Sequence, residues 1–151
     1  MGLIILTPDA STTGSSSKSY VTTETEATVN GVKFKLNNYN PDTNQLRGNQ
    51  SSASSNFVLY NTTAISGKIR KIDISRTSGT GTLGNTKCYI SFGASVISTN
   101  PATTGTASTA GASTSTVYWT NDGNNTFFYI GMAKGATSGS YYGSITIMYA
   151  K

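Results

Sequence analysis

Apolar residues in this chain recur at every second position, in short runs separated by turn chemistry. Val32, Phe34 and Leu36 share one face of GVKFKL, with Lys33 and Lys35 opposite. Phe57 and Leu59 alternate with Val58 and Tyr60 in NFVLY, and Cys88, Ile90 and Phe92 form one face of KCYISF. Val117 and Trp119 do the same in TVYWT, and Ile145, Ile147 and Tyr149 in SITIMY. Period two places alternate side chains on opposite faces of a strand, and no helical period competes with it. In GKIRKIDIS, Ile72 and Ile74 share a face while Ile69 is out of phase, which predicts a bulge. With YVTTETEATV and TFFYIGM added, about eight strands are expected. Their short spacing predicts one all-β domain, a single antiparallel β-sandwich.

Turn residues fit that expectation. Asn30-Gly31 supplies the positive φ angles of a tight hairpin, and Asn121-Asp122-Gly123-Asn124 is read as a second hairpin, between VYWT and TFFYI. Residues 101–116, PATTGTASTAGASTST, are low in complexity and read as a long surface loop or one weak edge strand. Residues 1–20 read as an N-terminal arm, flexible or docking, ahead of a sandwich over 21–151. The apolar tip Leu3, Ile4, Ile5 and Leu6 is followed by a Ser/Thr/Gly linker. Two readings of the arm stay open: a disordered terminus, or a tether of roughly 60 Å reach whose tip docks on a neighbouring subunit.

Composition narrows the chemistry. The 151 residues contain no His, one Cys (Cys88) and six carboxylates, while about three residues in ten are Ser or Thr. Acid–base and nucleophilic catalysis near neutral pH lean on His and activated Cys, so no enzyme activity, no catalytic residue, no metal and no cofactor are expected. A lone Cys cannot form an internal disulfide. The net charge of +5 is dilute, and its only cluster is Lys68, Arg70, Lys71 and Arg76. That falls short of the dense basic stripe of a nucleic-acid binder. No apolar run could span a bilayer, and Gly2–Leu6 lacks the basic start of a signal peptide, so folding in a cytoplasm is expected.

Several motifs fail on context. Gly79-x-Gly81-x-x-Gly84 matches the dinucleotide fingerprint but leads into a strand rather than a helix. Ser66-Gly67-Lys68 lacks the first Gly of a phosphate loop. Glu24 and Glu26 form a close carboxylate pair with no apolar neighbour to raise a pKa, and read as a solvent-facing edge. Asn40, Asp42 and Asn44, and Asp122 with its neighbours, have oxygen-ligand spacing but lack the Gly and Glu of a calcium loop. Aromatic residues carry the remaining signal. Tyr39, Tyr118, Trp119, Tyr141 and Tyr142 lie near strand ends and are candidate glycan contacts, since Tyr and Trp combine a flat apolar face with a polar tip. Trp119 shares a face with Val117 and reads first as core; Tyr118 and one of Tyr141 and Tyr142 must point outward.

The order ATVNGVKF, YNPDTNQLRGNQSS, SGKIRKIDIS, YYGSITIMY resembles jelly-roll sandwiches in virion proteins of tailed phages of gut bacteria. It is also similar to carbohydrate-binding-like domains of secreted bacterial proteins. The likeness covers residues 27–149 as a strand pattern. It implies a jelly-roll fold and a capsid decoration, head-fibre or tail-associated protein, assembled in the host cytoplasm. Such a protein would be homo-oligomeric, joined to other virion proteins through the arm, and in contact with a host-surface or mucus glycan. The alternative is a free-standing carbohydrate-binding module or adhesin. The resemblance brings no catalytic residues with it.

Overall fold

The structure, a computed structural model, describes residues 1–48, 52–79, 88–110, 116–132 and 140–151. In chain order these form β1 (Gly2–Leu6), a helical turn α1 (Ala10–Thr13), β2 (Thr25–Val29), β3 (Val32–Leu36), β4 (Tyr39–Asn40) and β5 (Gln45–Gly48). After a 3-10 turn at Ala53–Ser55 come β6 (Leu59–Asn61), β7 (Lys68–Gly79), β8 (Cys88–Gly93), β9 (Thr106–Ala107) and β10 (Thr109–Ala110). The last three strands are β11 (Thr116–Thr120), β12 (Phe127–Met132) and β13 (Ser140–Ala150). Each of the eight alternating runs contains a strand.

The strands make two antiparallel sheets. The larger runs β10-β11-β7-β13-β5-β4, with β1 also paired to β13, and the smaller runs β2-β3-β6-β12-β8-β9. Their apolar faces meet in one core, which takes Phe34, Leu36, Leu59, Ile90 and Phe128 from the smaller sheet and Leu46, Ile72, Ile74, Ile145 and Ile147 from the larger. This is an all-β sandwich, as alternation requires: each strand has one apolar face to bury.

The expected bulge sits in β7. Met148 pairs with Lys71 but Tyr149 pairs with Ile69, so Arg70 is the extra residue. The inserted residue restores the phase, and Ile69, Ile72 and Ile74 are all buried. Arg70 turns its guanidinium to the carbonyls of Asn121 and Gly123, at 3.3 and 2.9 Å. The Asn30-Gly31 hairpin joins β2 to β3 with φ of 51° and 78°, the left-handed pair of a tight turn.

Three expectations are corrected. First, Asn121–Asn124 is not a hairpin. β11 belongs to the larger sheet and β12 to the smaller, so this segment crosses the sandwich. Second, the 101–116 stretch, read as a surface loop or one edge strand, supplies two short edge strands among its described residues. β9 pairs with β8 in one sheet and β10 with β11 in the other. The crossing residue, Ser108, is buried and exchanges hydrogen bonds with the Cys88 backbone: its Oγ accepts from Cys88 N–H at 3.1 Å and its N–H donates to Cys88 C=O at 2.8 Å. Third, the 1–20 arm packs on the body of its own chain. β1 pairs with β13 from Gly2↔Tyr149 to Leu6↔Ile145, which buries Ile4 and Leu6 and leaves Leu3 and Ile5 half-exposed. Its linker is ordered by Asp9, whose carboxylate caps α1 through Thr12 N–H at 2.7 Å, and by Gly14 at φ 70° closing the turn.

Candidate recognition surface

Alternation that buries Ile72, Ile74, Val117 and Trp119 sends Lys71, Asp73 and Tyr118 to the outer face of the larger sheet. Tyr118 lies opposite Asp73 on β7 and Thr109 on β10. The Lys71 ammonium sits 4.9 Å from the centre of the Tyr118 ring and 3.2 Å from the Asp73 carboxylate. An ammonium over a ring face is attracted by the ring quadrupole, so Tyr118 has one face occupied by its own neighbour.

A second cluster forms where β5 pairs with the start of β13. Tyr141 lies opposite Arg47, and Tyr20, at the end of the linker, brings its ring to 6.1 Å from Tyr141 at a 31° tilt. The Arg47 guanidinium stacks 4.4 Å from the Tyr20 ring centre. It is held there by Ser55 C=O, which accepts from Nε at 3.3 Å, and by Asn38 Oδ1, which accepts from Nη2 at 3.2 Å. Asn38 is itself buried at φ 51° and donates to the carbonyls of Ser54 and Asn56. Burial pushes the Tyr20 phenol up to about 12; Tyr141 adds to the shift and Arg47 opposes it.

Two of the five candidate aromatics are therefore surface groups, Tyr118 and Tyr141, on the same sheet face but in separate clusters. The other three lie in the core: Tyr39 and Tyr142 as corrections, Trp119 as the face it shares with Val117 indicated. Tyr39 is fully buried with its hydroxyl donating to Thr25 Oγ1 at 2.8 Å. Tyr142 is fully buried edge-on to Phe57, with ring centres 5.6 Å apart. Trp119 is 3% exposed and donates its indole N–H to Thr106 C=O at 2.9 Å. Consecutive residues of a strand face opposite ways, so Tyr141 and Tyr142 could not both reach solvent.

On the smaller sheet, Tyr60 of β6 and Tyr129 of β12 are directly paired and stack at 4.6 Å, nearly parallel. Burial raises the Tyr60 phenol well above its usual range, and a hydrogen bond with Glu24 raises it further. Burial, then Glu24, also raises Tyr129. Glu26 faces Lys33 and Lys35 at 3.7 and 4.0 Å, so the two carboxylates serve different neighbours. Sequence reasoning missed Tyr20, Arg47, Tyr60 and Tyr129. For Tyr60 and Tyr129 the available signal was phase: each alternates with buried residues. That β6 and β12 are neighbours was not readable.

The oxygen-rich turns are occupied by turn bonding. Asn40 Oδ1 accepts from Asp42 N–H at 3.0 Å, Asn44 takes φ 57°, and Asp42 pairs with Lys18 at 2.7 Å. The Lys18–Asp42 pair lines an open groove of about 230 Å³ with Ala10, Ser16, Ser17 and Pro41. Among the described residues, no three His, Cys, Asp or Glu side chains gather as a metal site. No helix there is long and apolar enough to cross a membrane. Of the basic cluster, Arg70 serves the bulge and Lys71 the Tyr118 contact, while the Arg76 side chain and the glycine motif beyond Gly79 lie outside the described residues. Cys88 is buried, which pushes its thiol up to about 12 against the opposing effect of a Tyr142 hydrogen bond. In comparisons with known proteins, no family model, no curated protein and no solved structure matches the chain.

Proposed function

We propose that this chain is a non-enzymatic structural subunit of a tailed-phage virion, a jelly-roll decoration, head-fibre or tail-associated protein. The outer face of its larger sheet contacts glycans. The observation that carries the contact is the Tyr20–Arg47–Tyr141 cluster. Tyr141 is half-buried, set in a strand and backed by a second ring. Arg47 is fixed by two acceptors, and a guanidinium has more N–H donors than those bonds use. A ring that takes the C–H face of a sugar beside a donor that takes its oxygens is the minimum for glycan recognition. Holding both in place before binding reduces the entropy lost on contact. Tyr118, with Lys71 over its ring, extends the same face as a weaker contact.

Two measurements test this. On a glycan array the native chain should retain at least one glycan, and Tyr141→Ala should weaken that binding about tenfold at unchanged fold. A native chain that retains nothing, or full affinity in Tyr141→Ala, contradicts the glycan contact. Purified particles should contain the chain in constant ratio to the other virion proteins. A chain that binds glycans yet is absent from particles is instead the free-standing module.

A further inference from the structure

The larger sheet ends, beside the second half of β13, on an edge unlike the others. β4, β9 and β10 are two residues long, and β2 carries Glu26 between two lysines. Short length and charge are the usual ways an edge is kept from pairing with another chain. β1, Gly2–Leu6, has neither: its sequence is GLIIL, with no charge, proline or bulge. Its inner positions Ile4 and Leu6 are buried, yet Leu3 and Ile5 are each 50% exposed. With Met1 they make up all but one of the large exposed apolar side chains among the described residues.

The direction of the backbone is also fixed. Leu3 C=O accepts from the Asn30 side chain at 3.4 Å, so it points away from β13. In an antiparallel ladder the polar groups of alternate residues point to the same side. The N–H and C=O of Leu3 and Ile5 therefore face the open edge, while Gly2, Ile4 and Leu6 bond to β13. No strand pairs with that edge among the described residues.

We infer that β1 pairs with β1 of a second copy, antiparallel about a two-fold axis at Ile4. This register is the self-complementary one. Leu3 of each copy meets Ile5 of the other and exchanges both backbone hydrogen bonds with it, and the half-exposed side chains cover one another on the outer face. A shift to a Leu3-centred or Ile5-centred pairing sets Ile5 against Met1, or Leu3 against Thr7, both beyond the ends of β1, so that only three of its five residues meet strand residues of the other copy. A shift by one residue would oppose groups already bonded to β13. The long Asn30 bond is exposed and gives way to the partner strand. The inference rests on the subunit reading and names its partner, a copy of this chain. A pairing of five-residue edges buries little area, so the dimer is concentration-dependent alone and strengthened in a larger assembly.

Sedimentation of the intact chain from micromolar to millimolar protein should show a monomer–dimer equilibrium. Ile5→Lys, at an outward position, should raise the dissociation constant about tenfold or more with unchanged circular dichroism. If that variant loses its fold, crosslinking decides. Leu3→Cys and Ile5→Cys chains mixed together should oxidise to a mixed disulfide faster than either alone, because directly paired residues sit roughly 5.5 Å apart at Cα. Cys88 is buried and can stay. A monomer at every concentration, a dimer indifferent to Ile5→Lys in its folded form, or faster crosslinking within one variant overturns the inference. Monomeric behaviour leaves particle incorporation and glycan binding to be read separately.

Discussion

Trp119 ties the two sheets together through one atom. Its ring is buried from β11 in the larger sheet, and its indole N–H bonds to Thr106 of β9 in the smaller. Replacing it with Phe keeps most of the apolar surface but leaves the Thr106 carbonyl without that donor. We expect Trp119→Phe to lower stability by about 1–3 kcal/mol, read as a drop in the urea midpoint. An unchanged midpoint would show that the bond is dispensable. Titration adds a second prediction. Cys88 and Tyr20 are held neutral in the fold by burial, with pKa values raised from 9.0 and 10.0 to about 12. The unfolded chain gives up these protons first. Their contribution is therefore full below the ordinary values and is lost as pH climbs towards about 12. Stability should be level near neutrality and fall through the alkaline range. Cys88 should resist thiol reagents until the chain unfolds. Rapid labelling of the native protein would contradict its burial.

β1 decides how the N-terminal segment behaves. Deleting residues 2–6 removes the buried side chains of Ile4 and Leu6. At roughly 1.5–3 kcal/mol each, the loss is about 3–6 kcal/mol before any entropy is regained. Against a typical domain stability of about 5–15 kcal/mol, the truncated chain should be marginal or unfolded. Retention of the full thermal midpoint would return the segment to a dispensable arm. The bulge in β7 offers a smaller test: Arg70→Ala removes two bonds to the sheet-crossing turn and should cost about 1–2 kcal/mol by chemical denaturation. These elements also mark the limit of reading by pattern. The eight long runs and the bulge were legible, because period two and a broken phase are local. The short strands β4, β5, β9 and β10, of two to four residues, carry no period to detect. The partner of Leu3–Leu6 was misassigned because β13 lies at the far end of the chain. Asn121–Asn124 has turn chemistry, but nothing in four residues says whether the next strand lies in the same sheet or the opposite one. Of the five candidate aromatics, phase alone separated Tyr141 from Tyr142 as one in and one out. Tyr39 lies in a two-residue strand too short to have a phase.

At the scale of the whole molecule, the sandwich spends its two faces differently. Among the described residues, the inner faces hold most of the large apolar side chains, and the outer face of the larger sheet carries Tyr118, Tyr141, Tyr20, Lys71 and Arg47. Its edge carries Leu3 and Ile5. A subunit that joins its copy by an apolar edge and meets sugars with an aromatic face would use surfaces that do not overlap. The most direct test is a residue-resolution density map of the particle that contains the chain. In that map β1 should lie against β1 of a neighbouring copy, with Tyr141 and Tyr118 open to the outside. A map in which the larger sheet's outer face lies buried against the shell, or in which the chain has no place in the particle, would contradict it.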